Sequence, residues 1–157
     1  RIHSRGITLA GREAVAHLTR DHGPDNGFWL HVDADVLDDA IMLDARGFIA
    51  ETNATHLFLV QGALLRTPTL AACPEGITRA TVLGLCREHG IAHEIGDLSL
   101  AELYRADEAF CTGTMGELAG VTSLDGRSIA DGQIGPLTNR LSELFATRTA
   151  TEGVRVA

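Results

Sequence analysis

Residues 41–68 read IMLDARGFIAETNATHLFLVQGALLRTP, and the fold class turns on them. The runs "IML" and "FIAET" flank Asp44-Ala45-Arg46-Gly47, a turn sequence between two short strands. The device repeats at once, with strands expected at Leu57–Val60 and Ala63–Arg66 around Gln61-Gly62. Each apolar run is too short for a helix, and each is punctuated by turn residues. Two successive hairpins put this stretch in a sheet.

Upstream, "TLAGREAVAHLTRDH" at residues 8–22 spaces Leu9, Ala10, Ala14, Val15 and Leu18 as a helix, with Gly23-Pro24 as its stop. "GFWLHVDADVLD" begins as an apolar run, Phe28 to Val32, and turns acidic. That pattern predicts a buried strand with charges at its carboxyl end, and helix followed by buried strand is half of an α/β unit. Downstream, Pro68 and Pro74 bound an irregular loop. "TRATVLGLCREHG" then predicts a helix capped by Thr78 and closed by Gly90, with Val82, Leu83, Leu85 and Cys86 periodic. "IAHEIGDL" reads as a strand. "SLAELYRA" is a short helix whose Ser99 and Glu102 make a capping box. Strands follow around Ala109–Thr112, Leu118–Leu124 and Arg127–Ile129, with Asp125-Gly126 as a hairpin turn. A last helix is expected over Pro136–Arg148, with Pro at its first position and Leu137, Leu141, Leu144 and Phe145 on one face. Residues 149–157 are expected to form a frayed tail.

The chain has 157 residues, 45% of them hydrophobic, enough for one domain with a real core. No apolar run approaches the roughly 20 residues that span a bilayer, and no stretch resembles a signal peptide, so a cytoplasmic protein is expected. The start at Arg1 fits a piece of a longer protein. A net charge of −8 argues against nucleic acid or an anionic membrane as partner. Cys73, Cys86 and Cys111 are an odd number without Cys-x-x-Cys spacing, which predicts redox-neutral thiols and gives no zinc signature. All 13 basic residues are arginine. An arginine bias suits a GC-rich coding sequence, and its chemical consequence is that no side-chain amine can form a Schiff base.

Residues 43–148 resemble the class IV (fold type IV) aminotransferases, which include the branched-chain and D-amino-acid aminotransferases. The motifs "LDARGFIAETNATHLFLV", "LLRTPTL", "GITRATVL" and "ELYRADEAFCTGTMGELAGVTSLDGRSIADGQIGPLT" carry it in family order. The resemblance implies the family's large domain, an α/β fold with a mixed sheet and flanking helices. It implies pyridoxal 5'-phosphate as cofactor, with amino-group transfer between an amino acid, branched-chain among the options, and a 2-oxo acid. Glu51 would face the cofactor's pyridine nitrogen. By residue type alone it is a solvated strand-end carboxylate. Ile77 and Thr78 open a helix whose amides, with the Thr78 hydroxyl, would hold the phosphate. Thr114 and Met115, in "TGTMGE", would meet the substrate carboxylate through main-chain amides; otherwise they form an ordinary turn. A homodimer, or self-association through the face that a missing small domain would cover, is the assembly implied.

The sequence departs from the family pattern at His56, where Asn is usual, and at Pro74, where a Leu commonly packs on the cofactor ring. The larger departure is the family's lysine, whose place falls near His17. That lysine anchors the cofactor covalently and moves the substrate's α-proton. The chain by itself is therefore expected to be catalytically incompetent.

Residues 1–42, ending in "FWLHVDADVLDDAIM", resemble the arginase–agmatinase (ureohydrolase) family in one motif. There an Asp-x-Asp at a strand end bridges two manganese ions that activate water. Carried over, Asp33 and Asp35 would be the metal ligands, on an incomplete helix–strand segment joined to the aminotransferase-like part. The same residues are equally an acidic strand end in solvent. A non-catalytic interaction module and a manganese-dependent ureohydrolase fragment are the alternatives to a cofactor-binding domain.

Overall fold

The computed structural model describes residues 29–34, 37–52, 55–113 and 117–152. Both hairpins of residues 41–68 are present. Strand β2 (Leu37–Leu43) pairs antiparallel with β3 (Ile49–Thr52), and β4 (His56–Gln61) pairs antiparallel with β5 (Leu64–Pro68). The second hairpin belongs to a five-stranded sheet of order β6-β5-β4-β7-β8, with β6 at His93–Gly96, β7 at Glu108–Gly113 and β8 at Glu117–Gly120. Its pairings are antiparallel except β5–β6. A parallel pair needs a long crossover, which helix α1 (Ile77–Glu88) supplies.

Central strand β4 is buried from Leu57 to Val60, so its period of two divides the core. Leu57 and Leu59 join Ile41, Leu43 and Ile49 of the first hairpin, together with Leu98, Leu103 and Leu124. Phe58 and Val60 face the other way, onto Val82, Leu83 and Leu85 of α1 and Leu141 and Phe145 of helix α3 (Pro136–Thr151). Phe58 and Phe110 sit directly opposite across β4–β7, with stacked rings 4.9 Å between centroids. The mixed sheet with flanking helices expected from the sequence is present, and a small antiparallel sheet packs on its other face.

Helix ends follow local chemistry. The short helix α2 (Leu100–Leu103) has the predicted capping box: Ser99 Oγ accepts from the Glu102 amide, and the Glu102 carboxylate accepts from the Ser99 amide at 2.8 Å. Helix α1 closes with Ile91 N donating to Cys86 O at 2.8 Å, a Schellman-type stop with Gly90 just past the His89 cap. β9 (Ser123–Leu124) and β10 (Arg127–Ser128) meet at Asp125 and Gly126, both at positive φ, as a two-residue type I′ turn requires. Helix α3 starts at Pro136 as predicted and continues three residues beyond Arg148, to Thr151.

The N-terminal expectation changes. β1 (Trp29–Ala34) is antiparallel to β2, with Asp33 opposite Asp38, so it is one arm of a hairpin rather than the strand of an α/β unit. β2 runs unbroken across residues 42 and 43, where the two resemblances were joined. The predicted helix at 8–22 lies outside the described residues. Among the described residues no helix is long and apolar enough to cross a membrane.

Candidate functional site

Glu51 owes its direction to a β-bulge. Ile41 pairs with Thr52 and Met42 with Glu51, but Leu43 pairs with Ile49, so Ala50 is an extra residue on β3. In a regular strand Ile49 and Glu51 would share a face, and Ile49 is in the core. The extra residue turns Glu51 to the opposite face, beside Met42. There both line a cavity of about 900 Å³ with Thr69, Ala71, Ala72 and Asp97. Burial raises the Glu51 carboxyl above the ordinary range, against a smaller pull from His56.

His56 begins β4 and links Glu51 to the start of α1. Its Nε2 lies 2.7 Å from the Pro74 carbonyl, an acceptor only, so Nε2 carries the proton and donates. On its other side the ring presses on Gly76, where an added Cβ would come within 2.3 Å of Cε1. Gly76 also has φ +69°. Both constraints require glycine. Cys73 completes the group: a Glu51 carboxylate oxygen, a His56 ring nitrogen and Cys73 Sγ all lie within 4.8 Å of one another.

Gly76, not Thr78, is the N-cap of α1, because Gly76 keeps non-helical dihedrals while Ile77 and Thr78 are already helical. No side chain caps this end and its first turn has no acidic residue, so its free amides favour an anion. Ile77 is 89% exposed. It lines a second cavity of about 460 Å³, with Gly76, Ala80, Gly84 and Arg148. Just inside the helix, Arg79 is 2% exposed; its Nη2 donates to the Pro68 carbonyl at 2.9 Å. Burial lowers its pKa against the opposing effects of Cys73 and Glu75, yet guanidinium stays charged. That charge is one more reason for an anion to settle near this end of α1.

The structure brings Glu51 close to the α1 terminus through His56 and Gly76, while Glu51 and Ile77 line different cavities. Thr114 and Met115 lie outside the described residues, as does Asp35. Asp33 stands opposite Asp38 in a hairpin, which gives no support to a manganese centre. Sequence reasoning missed the grouping of His56 and Cys73 with Glu51. His56 stood out as a departure from the family pattern, but Cys73 gave no signal because a hairpin and a loop separate it from its neighbours.

The amino-transferase class IV family model matches residues 10–124. The chain belongs to the class IV aminotransferase family. It is 46% identical over 120 residues to the branched-chain-amino-acid aminotransferase-like protein 2 of Arabidopsis thaliana, covering 76% of this chain and 22% of that protein. It is 40% identical over 108 residues to the branched-chain-amino-acid aminotransferase of Pseudomonas aeruginosa, covering 69% of this chain and 35% of that protein. Among solved structures, a T.th. branched-chain amino acid aminotransferase complexed with N-(5'-phosphopyridoxyl)-L-glutamate superposes with a TM-score of 0.67 at 31% identity, over 89% of this chain and 41% of that one. The chain spans less than half the length of these relatives. The family match starts at residue 10, so it takes in most of the segment assigned by one motif to a ureohydrolase. The antiparallel β1–β2 pairing removes the other ground for a separate segment there.

Proposed function

We propose that this chain is the cofactor-binding part of a branched-chain-type amino-acid aminotransferase, able to hold pyridoxal 5'-phosphate without a covalent bond and not to transaminate alone. The observation that carries the reading is the bulge-directed Glu51 carboxylate, lining a cavity and linked through His56 and Gly76 to a helix start with uncapped amides. When bound, the cofactor supplies an electron sink for chemistry at an amino acid's α-carbon. Glu51 would hold the pyridine nitrogen protonated. The amides of Ile77 and Thr78, with the Thr78 hydroxyl, would bind the phosphate, and the buried Arg79 charge favours an anion nearby. Thr114 and Met115 would orient the substrate carboxylate through their amides. The 157 residues contain no lysine, so no group here can anchor the cofactor covalently or take the lysine's part in moving the α-proton. The substrate class, amino acids and 2-oxo acids with a branched-chain preference, is proposed from the named relatives.

Titration with pyridoxal phosphate, followed by fluorescence of the single tryptophan, tests this. Saturable binding is expected that dialysis removes and borohydride does not fix, and that Glu51→Gln weakens. Exchange of amino groups between an amino acid and a 2-oxo acid by the purified chain alone would refute the predicted incompetence. Absence of saturable binding would refute the cofactor assignment.

A further inference from the structure

We propose that Glu51, His56 and Cys73 form a binding site for one divalent transition-metal ion of the zinc class. The proposal goes beyond the cofactor reading and shares only Glu51 with it. The three side chains offer oxygen, nitrogen and sulfur within 4.8 Å of one another. Around a tetrahedral zinc, with bonds of about 2.0–2.3 Å, ligand atoms sit about 3.3–3.8 Å apart. Closure of the order of 1 Å would therefore complete the set. Mixed thiolate, imidazole and carboxylate donors suit zinc over magnesium or calcium, which prefer oxygen alone.

The surroundings are those of a ligand histidine. Metal-bound imidazoles almost always donate their second nitrogen to a carbonyl or carboxylate, which fixes tautomer and ring orientation. His56 does so through Nε2 to Pro74 O at 2.7 Å, which makes Nδ1 the ring nitrogen that would take the metal. Gly76 against the ring and the β4–β7 pairing of His56 with Thr112 hold it further. The three ligands come from β3, the start of β4 and the loop before α1, so they converge from separate elements. Three protein ligands leave a fourth position open to water or a small molecule. A metal bound here occupies Glu51 and so competes with a pyridine nitrogen for that carboxylate.

Cobalt(II) titration of the full chain, without pyridoxal phosphate, tests the proposal. The expected result is one cobalt per chain, a thiolate-to-cobalt charge-transfer band with intense four-coordinate visible bands, and displacement by zinc. Cys73→Ser should abolish the thiolate band, and His56→Gln should weaken binding by about 100-fold or more, at or beyond the loss typical of outer-shell changes. Cys73 is half-buried in a loop, so Cys73→Ser should keep its circular dichroism and pyridoxal phosphate binding. That lets either reading fail while the other stands. No thiolate band in the unmodified protein, or a band that survives Cys73→Ser, would overturn the metal site.

Discussion

Helix α3 is fastened by a residue of another element. Its cap residue, Gly135, has no side chain to offer. Glu108 of β7, only 7% exposed, reaches the helix start and accepts from Leu137 N at 3.0 Å, Thr138 N at 2.8 Å and Thr138 Oγ1 at 2.8 Å. These bonds satisfy two of the orphan amides and place an anion at the positive end of the helix. Hydrogen bonds to a charged group contribute about 1.5–3 kcal/mol each and are not additive, so Glu108→Ala should destabilise the fold by about 3 kcal/mol. With a urea slope of about 2 kcal/mol per M, the unfolding midpoint falls by about 1.5 M. Gly135 gives the sharper test. An added Cβ would lie 2.0 Å from Glu108 Cδ and 2.1 Å from Cγ, so Gly135→Ala must expel the carboxylate and should cost about 3 kcal/mol as well. Once Glu108 is alanine, those atoms are gone. Gly135 has an ordinary φ of −77°, so the loss of a favourable cap residue and the lower entropy of the unfolded chain nearly cancel. The double variant should match Glu108→Ala within about 0.5 kcal/mol, a strong negative coupling. Additive losses, about 6 kcal/mol in total, would show that Glu108 does not hold the helix as described.

Three further outcomes follow from local geometry. Ser99 amide and hydroxyl, then Arg66, hold the Glu102 carboxyl down at about 2. Its folded value is depressed, so its stabilisation is present above the ordinary glutamate range and fades as pH falls toward 2; Glu102→Gln should flatten acid unfolding over that window by about 1–2 kcal/mol, and an unchanged profile would count against the contact. The single tyrosine, Tyr104, is pushed up to about 12 by burial and by its hydrogen bond to Asp125; phenolate absorbance should show one late transition, moved down by Asp125→Asn. Cys73 is half-buried whereas Cys86 and Cys111 are buried, with burial raising Cys86 to about 11. A thiol reagent should therefore modify Cys73 in the native protein and all three only after unfolding.

Local signals were the legible part of this chain. The turn at residues 44–47, the Ser99–Glu102 box, the Asp125-Gly126 hairpin and Pro136 act within a few residues and appear where expected, while the second hairpin turns one residue later than the sequence suggests, at Gly62-Ala63. Thr78 was misplaced as a cap because Gly76 lacks the side chain by which N-caps are usually recognised; its suitability arises from contact with His56. The acidic run after Val32 looked like the end of a buried strand, and only pairing with β2 makes it a hairpin arm. In the candidate site, Glu51 was found through family motifs. Its neighbours were not, because convergence of β3, β4 and the loop before α1 is tertiary and leaves no spacing to read.

The single surplus residue at Ala50 makes this hairpin unequal in its tolerance of length changes. An indel confined to the 44–47 turn alters the link between strands and can leave their pairing intact. Deleting Ala50 restores an uninterrupted ladder with Ile49 still opposite Leu43 and Glu51 still opposite Met42, so the carboxylate keeps its face, whereas deleting Met42 from the partner strand brings Leu43 opposite Glu51 and turns a core side chain outward. Among homologous chains, one-residue gaps should therefore be admitted at the turn and at Ala50 and avoid the Ile41–Leu43 run that faces them.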